Sequence, residues 1–167
     1  MEFLLDIFGN KILIVSMLSW FVAQLLKFII NSVVYKKVSL ERLWGDGGMP
    51  SGHSATVSSL AAMCGWLYGF DGIVFGMSAI FAIVVMHDAT GVRREAGKHA
   101  TSIKEIADII NDMLAGETEQ IRTEKLKEFV GHTPLQVLFG SLLGILTATL
   151  YCAFSALPYC SGTMLGI

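Results

Sequence analysis

The sequence predicts an all-α integral membrane protein, a bundle of about four transmembrane helices at roughly 20 residues per crossing. Amphipathic helices are added in the loop between the third and fourth spans, and residues 1–167 form a single domain. Three observations predict this architecture. Apolar residues make up 53% of the 167 residues and charged residues only 16%, with a mean hydropathy of +0.61, beyond the usual proportions of a soluble domain. The apolar residues lie in long blocks, and the polar residues gather at the ends of those blocks.

Residues 12–35, "ILIVSMLSWFVAQLLKFIINSVVY", supply the first span. No basic n-region precedes them and polar groups interrupt them, so they read as mature structure rather than as a signal peptide. Two shorter apolar runs, 54–70 and 72–86, are hinged at "FDG", where Asp71 and Gly72 provide turn chemistry, and they predict a tight helical hairpin. Within the polar stretch 87–134, Ile103, Ile106, Ile109, Ile110 and Met113 recur at three- and four-residue intervals, the pattern of an amphipathic helix. A second short helix is expected around 118–129. Residues 135–157 supply the last span. Glycines at 65 and 69, 72 and 76, and 140 and 144 have the spacing that lets membrane helices approach closely, first within the chain, with a homo-oligomer as the alternative use. Cys64, Cys152 and Cys160 lack metal-ligand spacing and read as small apolar fillers.

Eleven of the twelve Lys and Arg residues, all but Lys11, fall near the inner end of the first span or in the loops 36–53 and 87–134. With four spans those loops share one face, which the positive-inside tendency places in the cytoplasm, with both termini outside. The expected location is a bacterial plasma membrane with the site facing the cytoplasm.

The same face carries the polar groups that ask for a chemical role. Ionisable groups near membrane depth cost a few kcal/mol, so they mark sites unless they can snorkel. Lys27 stands on the first span with Gln24 and Asn31, and Arg42 follows in the loop. "GGMPSGHSA", residues 47–55, reads as the start of a helix: Pro50 suits the first turn, Ser51 or Ser54 can cap, and Gly52 admits a ligand close to the backbone. Free N–H groups and the helix dipole favour an anion there. In "GHTPLQV" the pattern recurs, with Thr133 at the cap, Pro134 at the first helical position and His132 just outside. His53 and His132 thus form a candidate acid and nucleophile pair. Lys27, Arg42, Arg93 and Arg94 supply the positive charge that a phosphoryl transition state needs.

"MPSGHSA" together with "GHTPLQVLFG" resembles the type 2 phosphatidic acid phosphatase (PAP2) superfamily, related to vanadium haloperoxidases. With "HDATGVRREAGKHA" the combination is similar to its divergent bacterial and plant branch, over nearly the whole chain. The resemblance implies three motifs, approximately K-x6-R-P, P-S-G-H and S-R-x5-H-x3-D, and chemistry that requires neither metal nor cofactor. By position, His132 becomes the nucleophile that forms a phosphohistidine and His53 the general acid, with Ser51 and Gly52 contacting phosphate.

This chain departs from the motifs in places. Arg42 has no following proline, and Lys36 precedes it by six positions where seven are expected, so Lys27 on its helix is favoured as the lysine. Leu126 stands where an arginine is expected, and Arg93 or Arg94, after the third span, can fill that role. Gln136 stands where an aspartate should partner the nucleophile. An amide accepts a hydrogen bond but cannot stabilise an imidazolium by charge, and Asp88 is the candidate replacement carboxylate.

The implied function is a membrane phosphatase acting on a lipid phosphate or diphosphate. Its expected partners are the membrane and the phosphorylated lipid, and not nucleic acid. A cytoplasmic site favours a substrate of that leaflet, such as phosphatidate or phosphatidylglycerophosphate, whereas a prenyl diphosphate recycled outside needs the opposite orientation. The alternative function is a protein that binds a phosphorylated head group, or acts as a membrane interaction partner, without turnover. A transporter ranks last, because four short spans without a repeat leave little room for alternating access.

Overall fold

In the computed structural model, which describes residues 2–35, 48–113 and 132–155, the chain is an antiparallel helical bundle. Its helices are α1 (Glu2–Gly9), α2 (Lys11–Tyr35), α3 (Gly52–Tyr68), α4 (Ile73–Thr90), α5 (Val92–Met113) and α6 (Pro134–Phe154). Arg42, Lys36, Cys160 and the helix expected around 118–129 lie outside the described residues.

Local chemistry sets the helix ends. Asn10 separates α1 from α2, and its side-chain Oδ1 accepts the Leu13 N–H at 3.1 Å. Ser51 caps α3 by accepting the Ser54 N–H at 3.3 Å. At the other end of α3, Gly69 adopts φ +89° and returns its N–H to the Gly65 carbonyl, and the chain turns into α4 by Gly72. This is the hairpin expected at residues 70–72. α4 continues past its apolar run through the polar residues His87 to Thr90, and α5 begins at Val92, well before the first periodic isoleucine.

The bundle is inside-out compared with a soluble protein. Its centre is α3, packed against α2, α4 and α6. Eleven of its 17 residues are buried, and most of them are Gly, Ala or Ser. The large apolar side chains of α2, α4 and α6, such as Phe21, Ile29, Phe81, Ile83, Leu142 and Ile145, are exposed around the outside. Small residues inside and large apolar residues outside suit a protein solvated by lipid, where close backbone packing holds helices together. Among the described residues three helical stretches are long and apolar enough to cross a membrane: Lys11–Val33, a stretch beginning with α4, and Pro134–Phe154. α3 lies among them, about 25 Å long at 1.5 Å per residue.

The tightest contact is the seam between α3 and α6. Gly140, Gly144, Ala148 and Cys152, four residues apart, form the buried stripe of α6. A methyl group at Gly140 would collide with the Ser51 carbonyl oxygen, and one at Gly144 with that of Ala55. This glycine pair therefore does what its spacing predicted. The other two pairs do not bring helices together: Gly65 sits under the Phe70 ring, Gly69 and Gly72 shape the turn, and Gly76 faces open space. Below the glycines the seam closes on Val15, Ala62, Met63, Ala148 and Cys152.

Candidate functional site

Because α3 runs antiparallel to α2 and α4 and parallel to α6, the starts of α3 and α6, the end of α4 and the C-terminal half of α2 meet at one end of the bundle. Two backbone hydrogen bonds fasten them. The Ser51 N–H donates to the Gln136 carbonyl at 3.0 Å, and the His132 N–H donates to the Ala89 carbonyl at 3.0 Å. The sequence motifs, far apart in the chain, become neighbours by these links.

The two predicted histidines face each other, with ring centroids 6.0 Å apart and planes inclined at 59°. They differ in setting. His53, on the first turn of α3, is exposed, whereas His132 is 2% exposed. The first N–H groups of an α-helix lack intrahelical acceptors, so the starts of α3 and α6 present donors and positive dipole ends on the histidine side. Ser51 is buried, and its hydroxyl oxygen accepts from both the N–H and the hydroxyl of Ser54. Its immediate work is to shape the helix start that displays Gly52 and His53. Gly52 packs against Trp20, where an added methyl would stand 3.3 Å from the indole Cδ1.

Lys27 is 2% exposed and ranks first by size among the fully buried side chains. Gly48, at φ +108°, lies over its stem, and a methyl there would stand 3.2 Å from Lys27 Cγ and Cδ. The loop leading to "MPSGH" can cross the lysine because that position is a glycine. Lys27 thus belongs to the same end of the bundle as the histidines.

Asp88 and the arginines lie at the α4–α5 junction. Asp88 Oδ2 accepts from Arg93 Nε at 2.7 Å, in an ion pair whose two side chains are nearly half exposed. Arg94 is exposed beside it in the first turn of α5. Gln136 meets the His132 ring: its Oε1 lies 3.3 Å from His132 Nδ1. The same oxygen accepts the Thr133 N–H at 3.0 Å, while Thr133 Oγ1 accepts the Gln136 N–H at 3.3 Å. This reciprocal arrangement is a capping box. Sequence reasoning found the Thr133 cap but missed its second half, although "TPLQ" carries the T-x-x-Q signature.

Among the described residues no three His, Cys, Asp or Glu side chains converge as metal ligands. A groove of about 490 Å³ opens at the opposite end of the bundle, lined by Leu5, Asp6, Asn10, Lys11, Leu67 and Tyr68 among others. It contains none of the predicted site residues.

The helical membrane bundle brings the two histidines of the PAP2-like motifs to adjoining helix starts. The sequence matches the Divergent PAP2 family over residues 8–147, and the chain belongs to that family. It is also 36% identical over 156 residues to the uncharacterized membrane protein YuiD of Bacillus subtilis (strain 168), an alignment that covers 90% of this chain and 99% of the relative. No solved structure matches.

Proposed function

We propose that the protein is a membrane-embedded phosphatase that hydrolyses a lipid phosphate or diphosphate through a phosphohistidine. The observation that carries this reading is the 6.0 Å separation of the two histidine rings at two helix starts. A nucleophile needs about 3–3.5 Å to phosphorus, and a proton donor about 2.6–3.2 Å to the leaving oxygen. With the breaking P–O bond between them these distances span several ångströms, so two rings with centroids 6.0 Å apart can flank a single phosphoryl group.

In this mechanism His132 Nε2 attacks phosphorus and forms an N–P bond while the bond from phosphorus to the lipid oxygen breaks. His53 gives its proton to that oxygen. Water then attacks phosphorus as the N–P bond breaks and returns its electron pair to His132 Nε2, the water's proton passes to His53, and inorganic phosphate leaves. The N–H groups at the start of α3 and the ammonium of Lys27 balance the phosphoryl charge, and Arg93 or Arg94 adds a cation from the junction. The family resemblance assigns no metal to these steps. Basic residues concentrated at this end support a cytoplasmic site and a substrate drawn from that leaflet.

A second reading, binding of a phosphorylated head group without turnover, is favoured by one observation: the position expected to hold the nucleophile's aspartate carries Gln136, whose neutral amide meets the His132 ring. The test is phosphate release by the detergent-purified protein over a panel of lipid phosphates without added metal. Release is expected from the wild type, with losses of about 10²-fold or more in His132→Ala and His53→Ala. If no lipid releases phosphate while a lipid phosphate still binds in an Arg93- or Arg94-dependent manner, the binding reading replaces the enzyme.

A further inference from the structure

Gln136 Oε1 lies 3.0 Å from the Thr133 backbone nitrogen and 3.3 Å from His132 Nδ1. The oxygen and nitrogen of a side-chain amide are told apart only by their partners. Here the partner decides, because a backbone N–H can only donate, so the atom facing Thr133 must be the oxygen. That same oxygen faces the imidazole. An oxygen without a proton can only accept, so the ring nitrogen beside it must carry the proton. The ring is further held by the His132 N–H, which is bonded to the Ala89 carbonyl and fixes the residue against the end of α4.

We propose that Gln136 is a positioning residue: through one amide oxygen shared with the α6 cap, it holds His132 as the Nδ1–H tautomer. Nε2 is then the unprotonated nitrogen. The cap of a membrane helix and the orientation of a nucleophile are thus one structure. Thr133, which holds Gln136 by accepting its backbone N–H, takes part in both. The orienting group is a neutral amide, which accepts the ring N–H without itself adding a charge that favours protonation. The proton on Nδ1 follows from the geometry, and its kinetic consequence rests on the phosphatase reading.

The test has two arms that fail separately. In the first, the imidazole nitrogens of detergent-solubilised protein labelled with ¹⁵N-histidine are observed by NMR, with His132 assigned from the signals lost in His132→Ala. The wild type is expected to show His132 as Nδ1–H, and Gln136→Leu to lose that preference. A wild-type Nε2–H ring, or a tautomer that Gln136→Leu leaves unchanged, overturns the proposal whether or not the protein is active. In the second, Gln136→Glu keeps an oxygen for the Thr133 N–H, preserving the cap, but adds a negative charge. The acid limb of kcat/KM should move up by about one pH unit or more, because a carboxylate favours the imidazolium. Gln136→Leu should lower kcat by about tenfold or more with KM little changed. An acid limb that stays in place in Gln136→Glu overturns the positioning role. Absence of activity in every form, with the expected tautomer present, instead overturns the phosphatase reading and leaves Gln136's hold on the ring established.

Discussion

At the scale of single residues, Lys27 is the side chain whose placement most needs a reason. Burying an ammonium costs several kcal/mol unless charge or hydrogen bonds compensate it. Its stem is packed under Gly48 while its position on α2 directs it to the histidine end. Lys27→Met keeps an unbranched stem and deletes the charge. Affinity for a phosphorylated lipid should fall about 10- to 100-fold, the worth of one hydrogen bond to a charged group. A large loss of stability with unchanged affinity would make Lys27 a structural residue. Lys27, His53 and His132 were legible in the sequence because ionisable groups beside apolar blocks are few. The Asp88–Arg93 pair was not, since it spans five residues across the break at Gly91 and arises from the turn geometry between two helices. Gln136 was legible as a departure from a motif, but its double hydrogen bond emerged only once the cap was built.

At the scale of elements, the α3–α6 seam positions the site. The glycines that close it lie about two and three turns into α6, inward of the end that carries the histidines. Overpacking a core contact costs about 1–3 kcal/mol, and here the obstacle is backbone, which cannot rotate away. Gly144→Leu should therefore lower the melting temperature in detergent by several degrees. Gly76→Ala, at a position with nothing within 4 Å, should be neutral or slightly stabilising, since alanine favours helix by about 1 kcal/mol over glycine. Equal effects at the two positions would deny the seam its special role. The spacing 140/144 announced this contact, yet identical spacing at 72/76 did not produce one. Periodicity shows which residues share a face, whereas the partner for that face is set by the turn at residues 69–72. α1 went unread because eight residues ahead of a long apolar run look like its continuation until Asn10 is recognised as a cap.

At the scale of the whole molecule, the pattern of burial identifies the solvent. Outward Phe, Ile and Leu and inward Gly, Ala and Ser place the bundle in lipid, and composition alone had made that legible. The role of α3 was harder to read: it scores as a shorter apolar run because its small and hydroxyl residues serve close packing rather than lipid contact. The distribution of basic residues sets the expected orientation. With native cysteines removed, Lys98→Cys on α5 and Asp71→Cys at the opposite turn report on the two faces. A membrane-impermeant thiol reagent should label Asp71→Cys in intact cells and Lys98→Cys only after permeabilisation. The reverse pattern would place the histidines outside and shift the substrate class to lipids recycled on that leaflet.

Trp20 leans on Gly52, at the first turn of α3, while Trp66 stacks edge-on with Phe70 at the far end, ring centroids 5.3 Å apart. The two indoles therefore sit in optically separate places. With Trp44 and Trp66 replaced by phenylalanine, emission comes from a single chromophore beside the helix start that carries His53. Charge arriving there acts directly on the indole's excited-state dipole, so occupancy of this end of the bundle can be followed by light, without a substrate that turns over or an attached dye.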